Sequence, residues 1–182
     1  MSYVPYVDPN LIKSRLKGIL NFNESNGGFN SFEEDAGGVF VTSEELNLFQ
    51  AQAEQKVVRK LSSLYKIPLI SSVNTGLTLA DFEDNTNYVL QGLFTCATCT
   101  YIIAFTFPQQ AIKARMLKDY LEREYGDLLG LIEKVDQASG RVYPAFEDLE
   151  YSKEYLTRQQ NPIISTINAD NEMSRLWSKN CL

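Results

Sequence analysis

The residues whose types and spacing come closest to chemistry are Cys96 and Cys99, set as Cys96-Ala97-Thr98-Cys99. A CxxC spacing serves thioredoxin-like redox sites and makes half of a zinc site. A redox pair belongs at a helix start after a strand, with a lowered thiol pKa. This pair lies inside an apolar, uncharged run. A zinc site lacks its second half, since only Cys181 remains and the chain has no histidine. Two small buried residues one helical turn apart is therefore the favoured reading. The missing histidine also removes the commonest proton shuttle at neutral pH.

The other polar clusters carry even less chemistry. Glu33-Glu34-Asp35 beside Gly37-Gly38 lacks the alternating oxygen spacing of a calcium loop and reads as a solvated acidic loop. Neither Gly27-Gly28 nor Gly37-Gly38 is followed by the Lys-Ser/Thr of a phosphate-binding loop, so both are expected to be turn glycines. Glu122, Glu124 and Asp127 sit on a charged helix and need no catalytic role. No catalytic, cofactor-binding or metal-ligating residue is expected, and the chain does not read as an enzyme. Tyr143, Phe146, Tyr151, Tyr155 and Trp177 lie in a segment with no core of its own. Such aromatics either anchor in a partner's pockets or fold back onto the same domain.

The elements that position these residues are helical. At 182 residues and a net charge of −6, the chain is long enough for one domain with appendages, and too acidic for a general nucleic-acid binder. Asp8-Pro9 starts a short helix over residues 9–20. Residues 21–41, rich in Asn, Ser, Gly and acids, read as a long flexible loop. Thr42-Ser43-Glu44-Glu45 is a capping box, and Leu46, Phe49, Ala53, Val57, Leu61 and Leu64 form the buried stripe of the helix it opens. Pro68 stops that helix. A polar connection over 69–80 leads to an apolar helix from about 81 to 107.

A charged helix over about 109–138 follows. Ile112, Leu117, Leu121, Leu128, Leu131, Ile132 and Val135 are available to its core face, and Ser139-Gly140 ends it. The fold class is thus mainly α: a bundle of about four helices with a long loop, comprising a domain over 1–140 and an extended arm over 141–182. The arm has one β-like run, 163–167.

Two further expectations concern compartment. The opening MSYVPYVDPNL has no basic start or apolar core, so no secretion signal is expected, and three cysteines suit reduced thiols in a cytosolic setting. Residues 89–107 are about long enough to span a bilayer, but Gln91, four threonines and the lack of a strong Leu/Ile/Val run favour a buried central helix of a soluble bundle.

The order of these parts resembles phage head–tail connector (adaptor) proteins, including the related Mu-type family of small virion proteins. The amphipathic helix leading into Tyr65-Lys66-Ile67-Pro68-Leu69 is similar to the family's helix and Pro-Leu turn. Residues 89–105 resemble its apolar helix, and residues 114–140, with Tyr120 and Leu128, its charged helix ending near a glycine. The loop over 21–41 and the arm beyond Gly140 depart from the pattern.

The resemblance implies a structural virion protein, a dodecameric ring in typical members, with no cofactor and no membrane. Its partners would be the portal protein, neighbouring copies, and a tail or second connector protein. DNA would pass through the lumen without specific binding; the acidic residues Glu33, Glu34 and Asp35 are candidates to line that channel, and the sequence leaves open whether their loop faces it or points outward. The protein would reside at the head–tail interface of the virion, and in the host cytoplasm during assembly. A tail-completion or terminator protein, or a small helical membrane protein using 89–107, are the alternatives. On this reading, deleting residues 145–182 leaves the helical domain folded and abolishes assembly.

Overall fold

The capping box forms as its residues require. The Thr42 hydroxyl accepts from the Glu45 N–H at 3.2 Å, and the Glu45 carboxylate accepts from the Thr42 N–H at 2.8 Å. In the computed structural model, which describes residues 7, 9–23, 28–31, 40–69, 82–107 and 111–160, this cap opens the helix Ser43–Leu61. Five α-helices dominate the described residues: α1 (Pro9–Leu16), α2 (Ser43–Leu61), α3 (Asp84–Thr106), α4 (Ile112–Leu129) and α5 (Lys153–Gln160). The expected stripe of α2, with Leu64 just beyond it, is buried throughout.

Helix α3 is the centre of the molecule, packed against α1, α2 and α4. Its apolar run explains why: residues from Leu93 to Thr100 are buried on every side. Two of the threonines there bond back along the helix. Thr98 Oγ1 donates to the Phe94 carbonyl and Thr100 Oγ1 to that of Cys96, both at 2.8 Å. By length and composition α3 could cross a membrane, yet 61 % of its apolar window is buried inside the protein. At Gly92 the helices pack closely: a Cβ would meet Leu128 Cδ1 of α4 at 2.7 Å, so a side chain there would push the end of Leu128 aside.

Several expectations need correction. Helix α1 ends at Leu16 rather than residue 20; Ile19 and Leu20 are buried beyond it. Described parts of the expected flexible loop 21–41 are instead a three-stranded antiparallel sheet: β1 (Leu20–Asn23), β2 (Gly28–Ser31) and β3 (Phe40–Val41). Phe22 and Phe29 face each other in its register and pack edge to face at 5.2 Å. This cross-strand pair supplies apolar contact that the Asn- and Gly-rich composition conceals.

Helix α4 ends at Leu129, not near 138. Its buried face is Ala114, Leu121 and Leu128, spaced seven apart, which puts Ile112 on the opposite side and 73 % exposed. Leu131 and Val135 are also exposed, while Ile132 is buried. Residues after Gly130 turn into a hairpin, β4 (Glu133–Val135) and β5 (Val142–Pro144). Gly140 has φ +66° and belongs to that hairpin turn, where glycine adopts a left-handed conformation at no steric cost.

Residues 142–160 are correspondingly not an extended arm. They pair as β5, bridge to Tyr65 through Tyr151, and finish as α5. Residues 161–182, including the β-like run 163–167, lie outside the described residues.

Candidate functional site

The turn that ends α2 ties the chain together. Tyr65 is completely buried, where its ring needs a partner for the hydroxyl. That hydroxyl donates to the Ile132 carbonyl at 2.7 Å and accepts from the Phe146 N–H at 3.1 Å. Burial pushes the Tyr65 phenol up to about 12. Around it, the Lys66 N–H donates to the Glu150 carbonyl at 2.8 Å and the Ser152 N–H to the Leu64 carbonyl at 3.0 Å. Leu69 ends the turn inside the core.

Sequence reasoning missed Asp148 altogether. It is 2 % exposed, and its carboxylate accepts from the Glu83 N–H at 2.9 Å and the Thr86 hydroxyl at 2.6 Å. Glu83 caps α3 with no side-chain hydrogen bond of its own. Asp148 therefore supplies both the cap and the negative charge that the positive end of α3 favours, from 62 residues away along the chain. No local spacing signals such a pair.

These contacts decide the fate of the expected anchors. Phe146 is buried and stacks with Tyr65 at 5.8 Å. Tyr151 and Tyr155 are half-buried, packing on each other at 5.5 Å, and Tyr143 is half-buried on β5. Phe146 thus cannot anchor in a partner; it fills the protein's own core. Trp177 and the acidic trio Glu33, Glu34 and Asp35 lie outside the described residues.

The cysteines are poor nucleophiles. Cys96 and Cys99 are both fully buried free thiols. Burial, with the Glu124 carboxylate nearby, pushes the Cys96 thiol up to about 12, and burial pushes Cys99 up as well. Beside Cys96, Arg15 of α1 makes a two-pronged pair with Glu124 of α4, at 2.9 and 2.6 Å. A hollow of about 130 Å³ opens there, and the buried Thr95 hydroxyl beside it has no hydrogen-bond partner within the protein. Among the described residues no group of three or more acids and cysteines is placed to hold a metal ion.

The outer surface is richer. Ile112, Met116 and Tyr120, spaced four apart on α4, are 73, 67 and 56 % exposed. Phe105 at the end of α3 and Leu48 on α2 are also exposed. Between the end of α3 and the start of α4 lies a groove of about 570 Å³, floored by Phe107, Ala111 and Ala114 and edged by Arg115, Lys118 and Asp119. These surfaces suit contact with another macromolecule better than reaction with a small one. Comparison with protein-family models, curated proteins and solved structures finds no match for the chain.

Proposed function

We propose that this protein is a ring subunit of a phage head–tail connector, joining the portal to the tail and enclosing part of the DNA channel. The observation that carries the reading is the apolar stripe Ile112, Met116 and Tyr120, left uncovered on the outer face of α4. Apolar side chains repeated on one helix face supply the contacts that an assembly subunit needs. The order of elements agrees with the connector pattern: α2, its Pro-Leu turn, apolar α3 and charged α4.

In this role the protein works by contact. Neighbouring copies, the portal, and a tail or second connector protein cover its outer faces. The net charge of −6 suits a lumen that lets DNA slide without holding it. Each contact is weak alone, and the ring multiplies it through effective concentration. Assembly takes place in the host cytoplasm and ends in the virion.

Sequencing the DNA that flanks the coding region tests the reading. Neighbours encoding a portal, a major capsid protein and tail proteins are expected. Neighbours from metabolism or membrane transport would remove the virion role. Purified protein that binds tail tube and leaves the portal bare would instead make it a tail terminator.

A further inference from the structure

Two surfaces of this chain are complementary. One is the groove between α3 and α4. Its floor is apolar (Ile103, Ala104, Phe107, Ala111, Ala114), and its edge carries Arg115, Asp119 and Lys118, the last paired with Glu122 at 3.5 Å. The first turn of α4 contains no acid, and its N-cap, Ala111, makes no side-chain capping bond. The positive end of the α4 dipole thus adds to the charge of Arg115 at that edge.

The other surface is the start of α2. Its first turn is acidic, with Glu44 and Glu45, and Glu45 is engaged in the capping box. Glu44 is exposed, and one turn further on Leu48 projects from the same face, 54 % exposed. Phe40, at the entry to the helix, is 45 % exposed. An apolar knob beside a carboxylate matches an apolar groove edged by Arg115.

Helix geometry separates the groove from the contact between α2 and α3. Phe105 of α3, 67 % exposed, stacks on Phe49 of α2 at 5.8 Å. Ile103 and Phe107, each two residues from Phe105, point about 200° away around the helix, and they line the groove. The groove therefore opens on the side of α3 turned away from the Phe49 contact with α2.

We infer that the groove takes the Glu44–Leu48 face of a second copy of this chain, head to tail. A heterologous contact of this kind closes into a ring when its rotation allows, and otherwise grows into a filament. The inference rests on the ring reading above for closure only; the pairing of faces stands on the charges and the geometry.

Charge reversal tests it on the full chain by sedimentation velocity, up to about millimolar protein, a range in which weak specific contacts are populated. Wild type is expected to associate as concentration rises. Glu44→Lys and Arg115→Glu, both at exposed positions, should each weaken association about tenfold by placing like charges together. The double variant, and an equimolar mixture of the two single variants, should recover it, which a merely structural effect would not. A wild type that stays monomeric throughout overturns the inference, as do single variants that associate like wild type or a double variant that fails to recover. Portal binding, measured separately, distinguishes the two proposals. Wild type that binds portal with its charge swaps silent sinks the pairing alone, whereas charge-sensitive association without portal binding sinks the connector reading alone.

Discussion

The hydroxyl of Tyr65 accepts a hydrogen bond from the backbone N–H of Phe146 at 3.1 Å, across 81 residues of chain. It also donates to the Ile132 carbonyl, so one side chain holds the residues on both sides of the β4–β5 hairpin to the end of α2. Tyr65→Phe keeps the ring and leaves the buried Phe146 N–H without a partner, while the Ile132 carbonyl keeps its bond from the Ala145 N–H. A loss of about 1–3 kcal/mol in urea denaturation is expected, together with faster proteolysis near residues 142–152. Stability within about 0.5 kcal/mol of wild type, the range of an inconsequential surface change, would contradict the role.

Asp148 acts on α3 in the same manner. Asp148→Asn offers one acceptor oxygen where the Glu83 N–H and the Thr86 hydroxyl use two. The expected cost is about 1–2 kcal/mol, with hydrogen exchange accelerated first at the amides of residues 83–87. Unchanged exchange there would show that α3 is capped by something else.

Truncation separates the packed segment from the residues after it. Ending the chain at Pro144 removes Phe146 and Leu149, both 2 % exposed, along with the Asp148 cap. Burial of each apolar side chain contributes about 1.5–3 kcal/mol, so this truncation should unfold or severely weaken the helical body. The expectation that the domain folds without residues 145–182 is thereby reversed. A sharp, wild-type-like melting transition in the truncated chain would restore it.

High pH should destabilise the fold through the same buried groups. The Cys96 thiol rises from 9.0 to about 12 and the Tyr65 phenol from 10.0 to about 12, while Cys99 also rises. Above pH 9 the unfolded chain releases the thiol protons, and above pH 10 the Tyr65 proton, while the folded chain retains them. Their contribution is therefore complete below those pH values and is lost as pH climbs towards the folded values. Urea midpoints should fall between pH 8.5 and 10.5, and iodoacetamide should label Cys96 and Cys99 only as the chain unfolds. Rapid labelling of either thiol in the native protein at neutral pH would contradict their burial.

The helices were legible where one face repeats within the helix itself. Leu46 to Leu61 reads as a buried stripe, and Thr42 with Glu45 marks its start, because all these signals are local. The same rule misled beyond Leu129. Ile132 and Val135 fit helical spacing, but the chain has already turned, and Asp136 organises the hairpin by accepting from the Ala138 N–H and the Ser139 hydroxyl. The sheet was hidden because Leu20–Asn23 and Gly28–Ser31 are too short and too polar to alternate clearly; the Phe22 and Phe29 pair is visible only once the register is known. Asp148 and Tyr65 act through partners 62 and 81 residues distant, which no window along the sequence spans. Of the candidate anchors, Phe146 is consumed by the core, and the groove could not be foreseen, since it forms where two helices meet.

The most direct test of the connector role is cryo-electron microscopy of the purified protein mixed with the portal encoded beside it. A ring of copies seated on the portal axis, around an open channel, is the predicted result. A portal that remains bare at saturating protein, or flanking DNA that encodes no portal, would contradict it.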